Sequence, residues 1–403
     1  MSNEILIARQ PIFDRYFNVV AYEILYRGMP SSSDSEKTAE SIVSTLLDIG
    51  LENVAGTTPV YFNIDETFLL HALDSLQALP PEMVYFEILE TVHPTEEVIA
   101  ACRQLKSLGY RLALDDVISV EQALPFMEVV DVVKVDWMDT KNKAEVFENL
   151  RKHAVRFLAE KVDSYEAVEA AKQFNVDYYQ GFFFCKPKSI SASKLPESKI
   201  AILRAMQRAM EAVSIDDMFD VVKQDVTLSY RLLKYINSAA FSLRREVESV
   251  EQALSLLGIN NIRRWLTLLS MTSLIEDKPG ALIYQALWRA RFLESLARQL
   301  GEDVINDDFL LGLFSILDAL LDRSMQDSLK ELRLARHVYE GLVDPESPMG
   351  KKLAVSYAIE RGDWDVVKAF TEDGRRVSYS EMTRMQAEAM HWADEQLAAL
   401  SST

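Results

Sequence analysis

The first half of the chain alternates between short apolar runs and segments whose apolar residues recur at helical spacing. The apolar runs predict strands at residues 19–26, 59–63, 83–87, 110–117, 130–136, 155–160 and 178–184. The helical spacing predicts helices at residues 36–49, 67–76, 96–108, 143–153 and 165–174. Such alternation is typical of parallel strands joined by right-handed crossovers, and the strand count suits a closed barrel. We therefore predict an α/β domain, a TIM-like (β/α) barrel, over residues 1–190.

The second half of the chain has a different pattern. A stretch rich in Ser, Pro and Lys at residues 186–196 marks a domain junction, and no strand pattern follows it. Apolar residues at helical spacing predict helices at 199–212, 225–235, 250–257 and 260–273, with Gly258 as a stop signal. We predict an all-α helical domain over residues 191–403. Its pattern is clearest at 197–275 and continues to about residue 400.

Nearly every predicted strand of the first half ends in a polar side chain. These residues are Glu23, Asn63, Glu87 with Glu90, Asp115 with Asp116, Lys134 with Asp136, Glu160 with Asp163, and Gln180. In barrels of this kind the chemistry lies at the carboxyl ends of the strands. Oxygen ligands without His or Cys favour Mg²⁺ or Mn²⁺ over zinc. Shared carboxylates can hold two such ions, an arrangement that suits hydrolysis of a phosphodiester.

Three candidate residues, Lys134, Gln180 and also Arg27 near the end of the first strand, have a plainer interpretation. Lys134 could pair with Asp136 or Asp131 in a solvated loop, and Gln180 could be a polar residue at the barrel rim. Arg27 could form a surface salt bridge, which contributes little to stability. Taken singly, the plain interpretation is the better one. Taken as an ordered set on successive strand ends, the residues favour a functional site.

Composition and charge narrow the classes of function. The chain has 403 residues and a net charge of −19, which argues against extended nucleic acid binding. Its two cysteines cannot form a disulfide framework, which fits a reducing cytoplasm. The N-terminus has no long apolar run, and the apolar stretch at 309–321 is too short to span a bilayer. We expect a cytoplasmic protein with no direct membrane insertion.

The strand-end residues also occur in the order of a known set of motifs. These are an opening strand at 8–14, Glu23 to Leu25, Asn63, Glu87 to Glu90, Asp115 with Asp116, Lys134 to Asp136, Glu160 to Asp163, Gln180 to Phe182, and Lys186 with Pro187. In this order the first half resembles the EAL family of cyclic di-GMP phosphodiesterases. The resemblance extends over residues 5 to 190.

The resemblance implies a role for each motif residue. The metal ligands would be Glu23, Asn63, Glu87, Asp115, Asp116 and Glu160. Lys134 and Glu160 would act in catalysis, with Lys134 orienting the attacking water. Glu90 would anchor the loop after the paired aspartates, and Gln180 would sit in the catalytic pocket. The cyclic di-GMP would be bound by Gln10, Arg27 and Asp136.

The sequence departs from the EAL pattern in one loop and at two single positions. The loop at residues 117–120 has no glycine where the family has two, so it lacks access to unusual backbone angles. Lys161 replaces a glycine, and Asp163 stands for a longer Glu. The ligand set predicts metal and nucleotide binding, while the loop leaves turnover open.

The second half resembles the HDOD family of helical output modules. The motif residues are 225–229, 236–241 and the helix at 249–258. The related HD phosphohydrolases bind metal through His and Asp, but no histidine lies between residues 154 and 336. We therefore expect no metal chemistry in the core of this half. The resemblance implies contact with a signalling protein whose identity the sequence does not give.

These observations lead to three hypotheses for a bacterial signal-transduction protein. The first is a metal-dependent phosphodiesterase that hydrolyses cyclic di-GMP to linear pGpG, with the helical half as output module. The second is a receptor that binds cyclic di-GMP without useful turnover, and the third is a scaffold that binds no nucleotide. The complete ligand set argues against the third and favours the enzyme slightly over the receptor. Whether the chain forms a homodimer is left open.

Overall fold

The computed structural model of the protein describes residues 5–28, 51–71, 79–188, 195–223, 226–237, 245–274, 278–302, 305–330, 332–372 and 377–401. Contacts divide the chain into two units. The first comprises residues 1–186 and 355–387, and the second comprises residues 187–354 and 388–403. The predicted helix at 36–49 lies outside the described residues. The predicted boundary between two family domains at residue 190 stays a prediction.

Eight strands of the first unit close into a barrel in chain order. They are β1 (Ile5–Phe13), β2 (Val19–Gly28), β3 (Val60–Ile64), β4 (Val84–Ile88), β5 (Arg111–Val117), β6 (Val132–Asp136), β7 (Arg156–Glu160) and β8 (Tyr178–Gln180). Neighbouring strands from β2 to β8 pair in parallel. The predicted TIM-like barrel is confirmed.

Strand β1 is the exception to the predicted parallel arrangement, because it pairs antiparallel with both β2 and β8. The connection from β1 to β2 is a tight turn at residues 14–18. In this turn the Asp14 carboxylate accepts the backbone N–H groups of Tyr16 and Asn18 at 2.8 and 2.9 Å. So short a connection can join antiparallel neighbours only, since parallel neighbours need a long crossover.

Short helices follow the strands of the barrel. They are α1 (Leu51–Ala55), α2 (Glu66–His71), α3 (Glu96–Ser107), α4 (Val120–Ala123), α5 (Lys143–Leu150) and α6 (Tyr165–Lys172), with 3₁₀ turns at Leu124–Phe126 and Phe183–Cys185. Four of these helices begin at a side chain that accepts a backbone N–H of the first turn, namely Thr95, Ser119, Asn142 and Ser164. These caps fix where each crossover leaves the barrel rim.

Strand β8 is shorter than the predicted strand at 178–184 because the chain turns at Gly181. This residue has a φ of +145°. A Cβ atom there would overlap the backbone of Val162, including its carbonyl group. Only glycine allows the two backbones to approach this closely. The turn ends the strand at Gln180 and places that side chain at the rim.

The barrel interior contains one apolar layer that fixes the direction of the polar side chains above it. The layer is formed by Ile12, Ala21, Tyr61, Ala113, Val132 and Leu158. On β2, β3, β5, β6 and β7 the predicted site residue comes two positions after the apolar one. Side chains alternate between the two faces of a strand, so residues two apart share a face. The polar residues at these strand ends therefore point into the barrel.

The described part of the second unit is all α, as predicted. The helices after residue 190 are α7 (Glu197–Glu211), α8 (Ile215–Lys223), α9 (Val226–Ile236), α10 (Val250–Ser273), α11 (Ala281–Leu300), α12 (Ile305–Phe314), α13 (Leu317–Leu321), α14 (Met325–Leu329), α15 (Arg336–Val343), α16 (Pro348–Arg361), α17 (Trp364–Glu372) and α18 (Tyr379–Ser401). Residues 355–387 of this series belong to the first unit. Gly258 interrupts α10 with a φ of +72°, as its predicted role as a stop signal requires. Within the described ranges, no helix is long and apolar enough to cross a membrane.

Candidate active site

The ammonium group of Lys134 lies at the centre of the polar layer. Its Nζ atom is 3.1 Å from Glu23 Oε2, 2.9 Å from Asp115 Oδ1 and 3.1 Å from Glu160 Oε2. It also contacts Glu87 Oε1. The residue is only 1% exposed. The alternative of a solvated loop lysine is therefore wrong: Lys134 is one of the five residues of β6, all of them buried, and its side chain points inward.

Glu23 is held by three hydrogen-bond donors from different strands. Besides the Lys134 ammonium, Asn63 Nδ2 donates to Glu23 Oε1 at 3.3 Å and Gln180 Nε2 donates to Glu23 Oε2 at 2.5 Å. Gln180 also lies 3.0 Å from Gln10 Oε1. Gln180 lies at the rim, as the plainer interpretation expected, but its side chain is buried and bonded within the cluster. Strands β2, β3, β6 and β8 are thus connected through one carboxylate, and β1 is connected to them through Gln180.

Burial and charge shift the pKa values in this cluster. Burial, and then the charge of Glu23, raise the pKa of Glu87 well above its usual value. Burial also raises the pKa of Glu160 well above its usual value. Burial acts the same way on Asp115, but the Lys134 ammonium prevails and lowers the pKa of Asp115. For Lys134 the four carboxylates overcome burial and raise its pKa well above the ordinary value. One cation therefore faces more negative charge than it can neutralise.

Several buried oxygen atoms of the cluster accept no hydrogen bond. Among them are Asn63 Oδ1, Glu87 Oε2 and Glu160 Oε1. A buried acceptor without a donor costs free energy of the order of 1–3 kcal/mol. An oxygen-lined site with excess negative charge is the environment that Mg²⁺ and Mn²⁺ bind. The donor set therefore fits a divalent cation.

A second cluster of acidic side chains lies next to the first. Carboxylate oxygens of Glu90, Asp115 and Asp116 lie within 4.8 Å of one another. Glu90 is exposed, Asp115 is buried and Asp116 is intermediate. The Lys161 ammonium contacts Asp116 and lies 2.8 Å from Asp136 Oδ2. The paired aspartates thus point to two different ammonium groups, Asp115 to Lys134 and Asp116 to Lys161.

The loop without glycine, residues 117–120, is held by side chains instead. Gln122 donates to the carbonyl of Asp116 at 3.1 Å and accepts the backbone N–H of Ile118 at 3.0 Å. Thr140 donates to the carbonyl of Val117 at 3.2 Å. The backbone at Asp116 is left-handed, with a φ of +47°. A conformation that usually favours glycine is thus adopted by a candidate metal ligand.

A cavity of about 500 Å³ opens above this cluster. Predicted site residues on its wall are Gln10, Glu23, Asp115, Asp116, Lys134, Glu160 and Gln180. Its size is within the range of small-molecule sites. Glu87 is completely buried beneath Lys134. Asp136 is buried and bonded to Lys161 and to the backbone N–H groups of Met138 and Asp139. The Arg27 side chain lies outside the described residues.

Sequence reasoning missed one charged residue of the cavity wall. Arg361, at the end of α16, lines the cavity and lies 5.5 Å from the centre of the Phe182 ring. It belongs to the part of the chain that folds with the first unit. It follows the barrel motifs by more than 150 residues, and nothing in its local sequence connects it to them. Together with Lys161 and Lys186 it adds positive charge to the wall.

The class of this protein is defined by two features. One is a closed barrel with acidic side chains at its strand ends, and the other is the helical unit that follows. The EAL domain model matches residues 39–187 and the HDOD domain model matches residues 193–340. The uncharacterized protein YuxH of Bacillus subtilis (strain 168) is 30% identical over 404 residues, which cover 96% of this chain and 98% of YuxH. The chain therefore belongs to the family of proteins with an EAL domain followed by an HDOD domain.

Two further similar proteins have a known activity or ligand. The cyclic di-GMP phosphodiesterase CdgJ of Vibrio cholerae serotype O1 is 31% identical over 375 residues, which cover 90% of this chain and 86% of CdgJ. A standalone EAL protein of Vibrio cholerae O395, solved with bound cyclic di-GMP, is 22% identical. That match covers 46% of this chain and 93% of the other, with a TM-score of 0.36.

Proposed function

We propose that the barrel hydrolyses cyclic di-GMP to linear pGpG with the help of Mg²⁺ or Mn²⁺. In this reaction water adds to one of the two phosphodiester bonds, and the ring opens to a linear dinucleotide with one terminal phosphate. The proposal is supported by the similarity to the cyclic di-GMP phosphodiesterase CdgJ, which extends over most of both chains. The cytoplasm is the proposed location, consistent with two cysteines that form no disulfide.

The observation that carries the proposal is the group of unpartnered oxygens around Lys134. Asn63, Glu87 and Glu160 each have a buried oxygen that no donor reaches. These oxygens come from three strands and lie where the carboxyl ends meet. With the carboxyls ionised, no donor of the described chain bonds to these oxygens, whereas a divalent cation would bind them. Divalent metal would be held by ligands drawn from Glu23, Asn63, Glu87, Asp115, Asp116 and Glu160.

A bound divalent cation would supply Lewis-acid activation of the phosphodiester and of water. The protein's own part is to position the reactants. Lys134, fixed by carboxylates on four strands, presents a charged donor that orients the attacking water. Glu160 shares the cavity wall with Lys134 and would hold this water from the other side. Glu90 lies close enough to the paired aspartates to fix their loop.

The cavity wall offers contacts for an anionic dinucleotide. Gln10 and Gln180 present amides, and Lys186 and Arg361 present positive charge to the phosphates. Phe182 offers an aromatic surface beside Arg361. We propose Arg27 and Asp136 as further nucleotide-binding residues. Asp136 would act through Lys161, which it holds at 2.8 Å.

The alternative is a receptor that binds cyclic di-GMP with little turnover. Two observations favour it. The loop at 117–120 is held by hydrogen bonds from Gln122 and Thr140. The Lys161 ammonium also forms an ion pair with Asp116. A ligand whose carboxylate is paired with an ammonium is less available to a metal. In either case we propose that the helical unit transmits the state of the barrel to a partner protein.

The test compares two glutamate variants of the full-length chain in the presence of cyclic di-GMP and Mn²⁺. Glu23→Gln keeps the size of the side chain and removes its charge, and we expect hydrolysis to fall at least about 100-fold. Glu166→Gln makes the same change on the exposed face of α6 and should leave the rate unchanged. Equal rates for Glu23→Gln and wild type would refute the site. If wild type binds the nucleotide without hydrolysing it, the receptor is the correct function.

A further inference from the structure

Lys161 has an unusual backbone for a lysine and an unusual position in the site. It directly follows β7, where the EAL motif has glycine, and its φ is +53°. For a residue with a Cβ atom, this left-handed conformation is unfavourable, because the Cβ crowds the following carbonyl oxygen. The cost is retained although glycine would remove it. Such an outlier at a site suggests that the side chain has a function there.

The ammonium of Lys161 lies on the side of the cluster that Lys134 does not reach. It contacts Asp116 and lies 2.8 Å from Asp136 Oδ2. Lys134 contacts Glu23, Glu87, Asp115 and Glu160 instead. The acidic side chains are thus divided between two ammonium groups, the buried one of Lys134 and the partly exposed one of Lys161. Asp116, which would otherwise be a ligand for a second divalent ion, is on the Lys161 side.

The contact with Asp136 differs from an ordinary surface salt bridge. The Asp136 side chain is 2% exposed, and its other oxygen accepts backbone N–H groups from Met138 at 2.7 Å and Asp139 at 2.8 Å. The Lys161 side chain is itself 44% exposed, so the defined position of its ammonium comes from this firmly held carboxylate. In the same cavity, Lys186 and Asp163 form a pair in which both side chains are more than half exposed. Pairs of that kind are screened by water and contribute little.

We propose that Lys161 is a built-in cation that replaces one of two divalent ions, so that each chain binds a single divalent cation. That cation is bound on the side of Glu23, Asn63, Glu87 and Asp115. The inference rests on one part of the proposed function, namely that the carboxylate cluster binds a divalent cation. It predicts a metal count, which can be measured without substrate and without turnover.

The experiment counts Mn²⁺ bound per chain, by equilibrium dialysis of the purified full-length protein followed by elemental analysis. Wild type should bind one ion. Lys161→Gly, which also removes the backbone strain, and Lys161→Gln should bind two. Lys161→Arg retains the charge and should bind one. Lys186→Gln removes a lysine from the same cavity and should also leave the count at one.

The possible results separate this inference from the proposed function. Two ions bound to wild type, or one ion bound to Lys161→Gln, would overturn the role of Lys161 and leave hydrolysis untouched. One ion in wild type and two in the Lys161 variants would support it, even if no variant hydrolyses cyclic di-GMP. No ion in any variant would overturn both.

Discussion

Replacing Lys134 by methionine tests the electrostatics of the site most strongly. The substitution keeps an unbranched side chain of similar length and removes the ammonium that contacts Glu23, Glu87, Asp115 and Glu160. These carboxylates would then face one another in the barrel interior without a cation. Removing one partner of a buried ion pair typically costs about 3–5 kcal/mol. We expect the free energy of unfolding to fall by that amount in the absence of divalent metal.

The measurement is thermal unfolding of the full-length chain in EDTA and in Mn²⁺. For a domain of this size, each kcal/mol shifts the midpoint by roughly 2–4 °C, so Lys134→Met in EDTA should unfold at least about 6 °C below wild type. Mn²⁺ at about 100 times its Kd stabilises a protein by about 2.7 kcal/mol. The variant should gain more than wild type, because the metal replaces the missing charge.

The control is Lys186→Met, which removes a lysine from the same cavity. Its side chain is 51% exposed and pairs with Asp163 at the surface, so the free energy of unfolding should change by less than about 1 kcal/mol. If Lys134→Met in EDTA is as stable as this control, the carboxylates do not depend on Lys134, and the reasoning is refuted. Lower pH offers a second check: protonation of the carboxylates should narrow the difference between Lys134→Met and wild type.

Two further predictions concern the helices that follow the barrel. Burial raises the pKa of Asp308 to about 6, so between pH 7 and pH 5 the folded protein takes up a proton that the unfolded chain does not. Stability from this group is present at low pH and lost as the pH rises through 6. Wild type should therefore gain about 1 kcal/mol on going from pH 7 to pH 5 that Asp308→Asn does not gain. Urea unfolding at both pH values measures this, and the same pH dependence in both proteins would contradict it. Arg361→Ala removes a cation that lines the cavity beside Phe182. It should weaken cyclic di-GMP binding about tenfold in calorimetric titration, since a hydrogen bond to a charged group is worth about 1.5–3 kcal/mol. An unchanged Kd would exclude Arg361 from the binding site.

The barrel was predictable because its strands carry a strong local signal. Apolar runs locate β2 to β8, and the two-residue alternation determines which side chains point inward. The antiparallel β1 was predicted only through its motif, and its direction was missed. The turn at residues 14–18 determines this direction, because so short a connection joins antiparallel strands. Its Asp14 side chain accepts the backbone N–H groups of Tyr16 and Asn18.

The site was predicted as a set of residues but not as a set of contacts. Strand ends that meet at one rim bring Glu23, Asp115 and Glu160 together whatever their rotamers. Whether Lys134 pairs with near neighbours in sequence or with carboxylates on other strands depends on the inward direction of β6, which only the closed barrel fixes. The contacts of Lys161 depend on its left-handed backbone. Arg361 reaches the cavity through tertiary packing that leaves no local pattern.

Product analysis of cyclic di-GMP incubated with the full-length protein tests the central claim most directly. The nucleotides are separated after incubation with Mn²⁺ or Mg²⁺, and Asp115→Asn is run beside wild type under the same conditions. Our account predicts that wild type converts cyclic di-GMP to linear pGpG and that Asp115→Asn does not. Intact cyclic di-GMP after incubation with metal-loaded wild type would contradict the account.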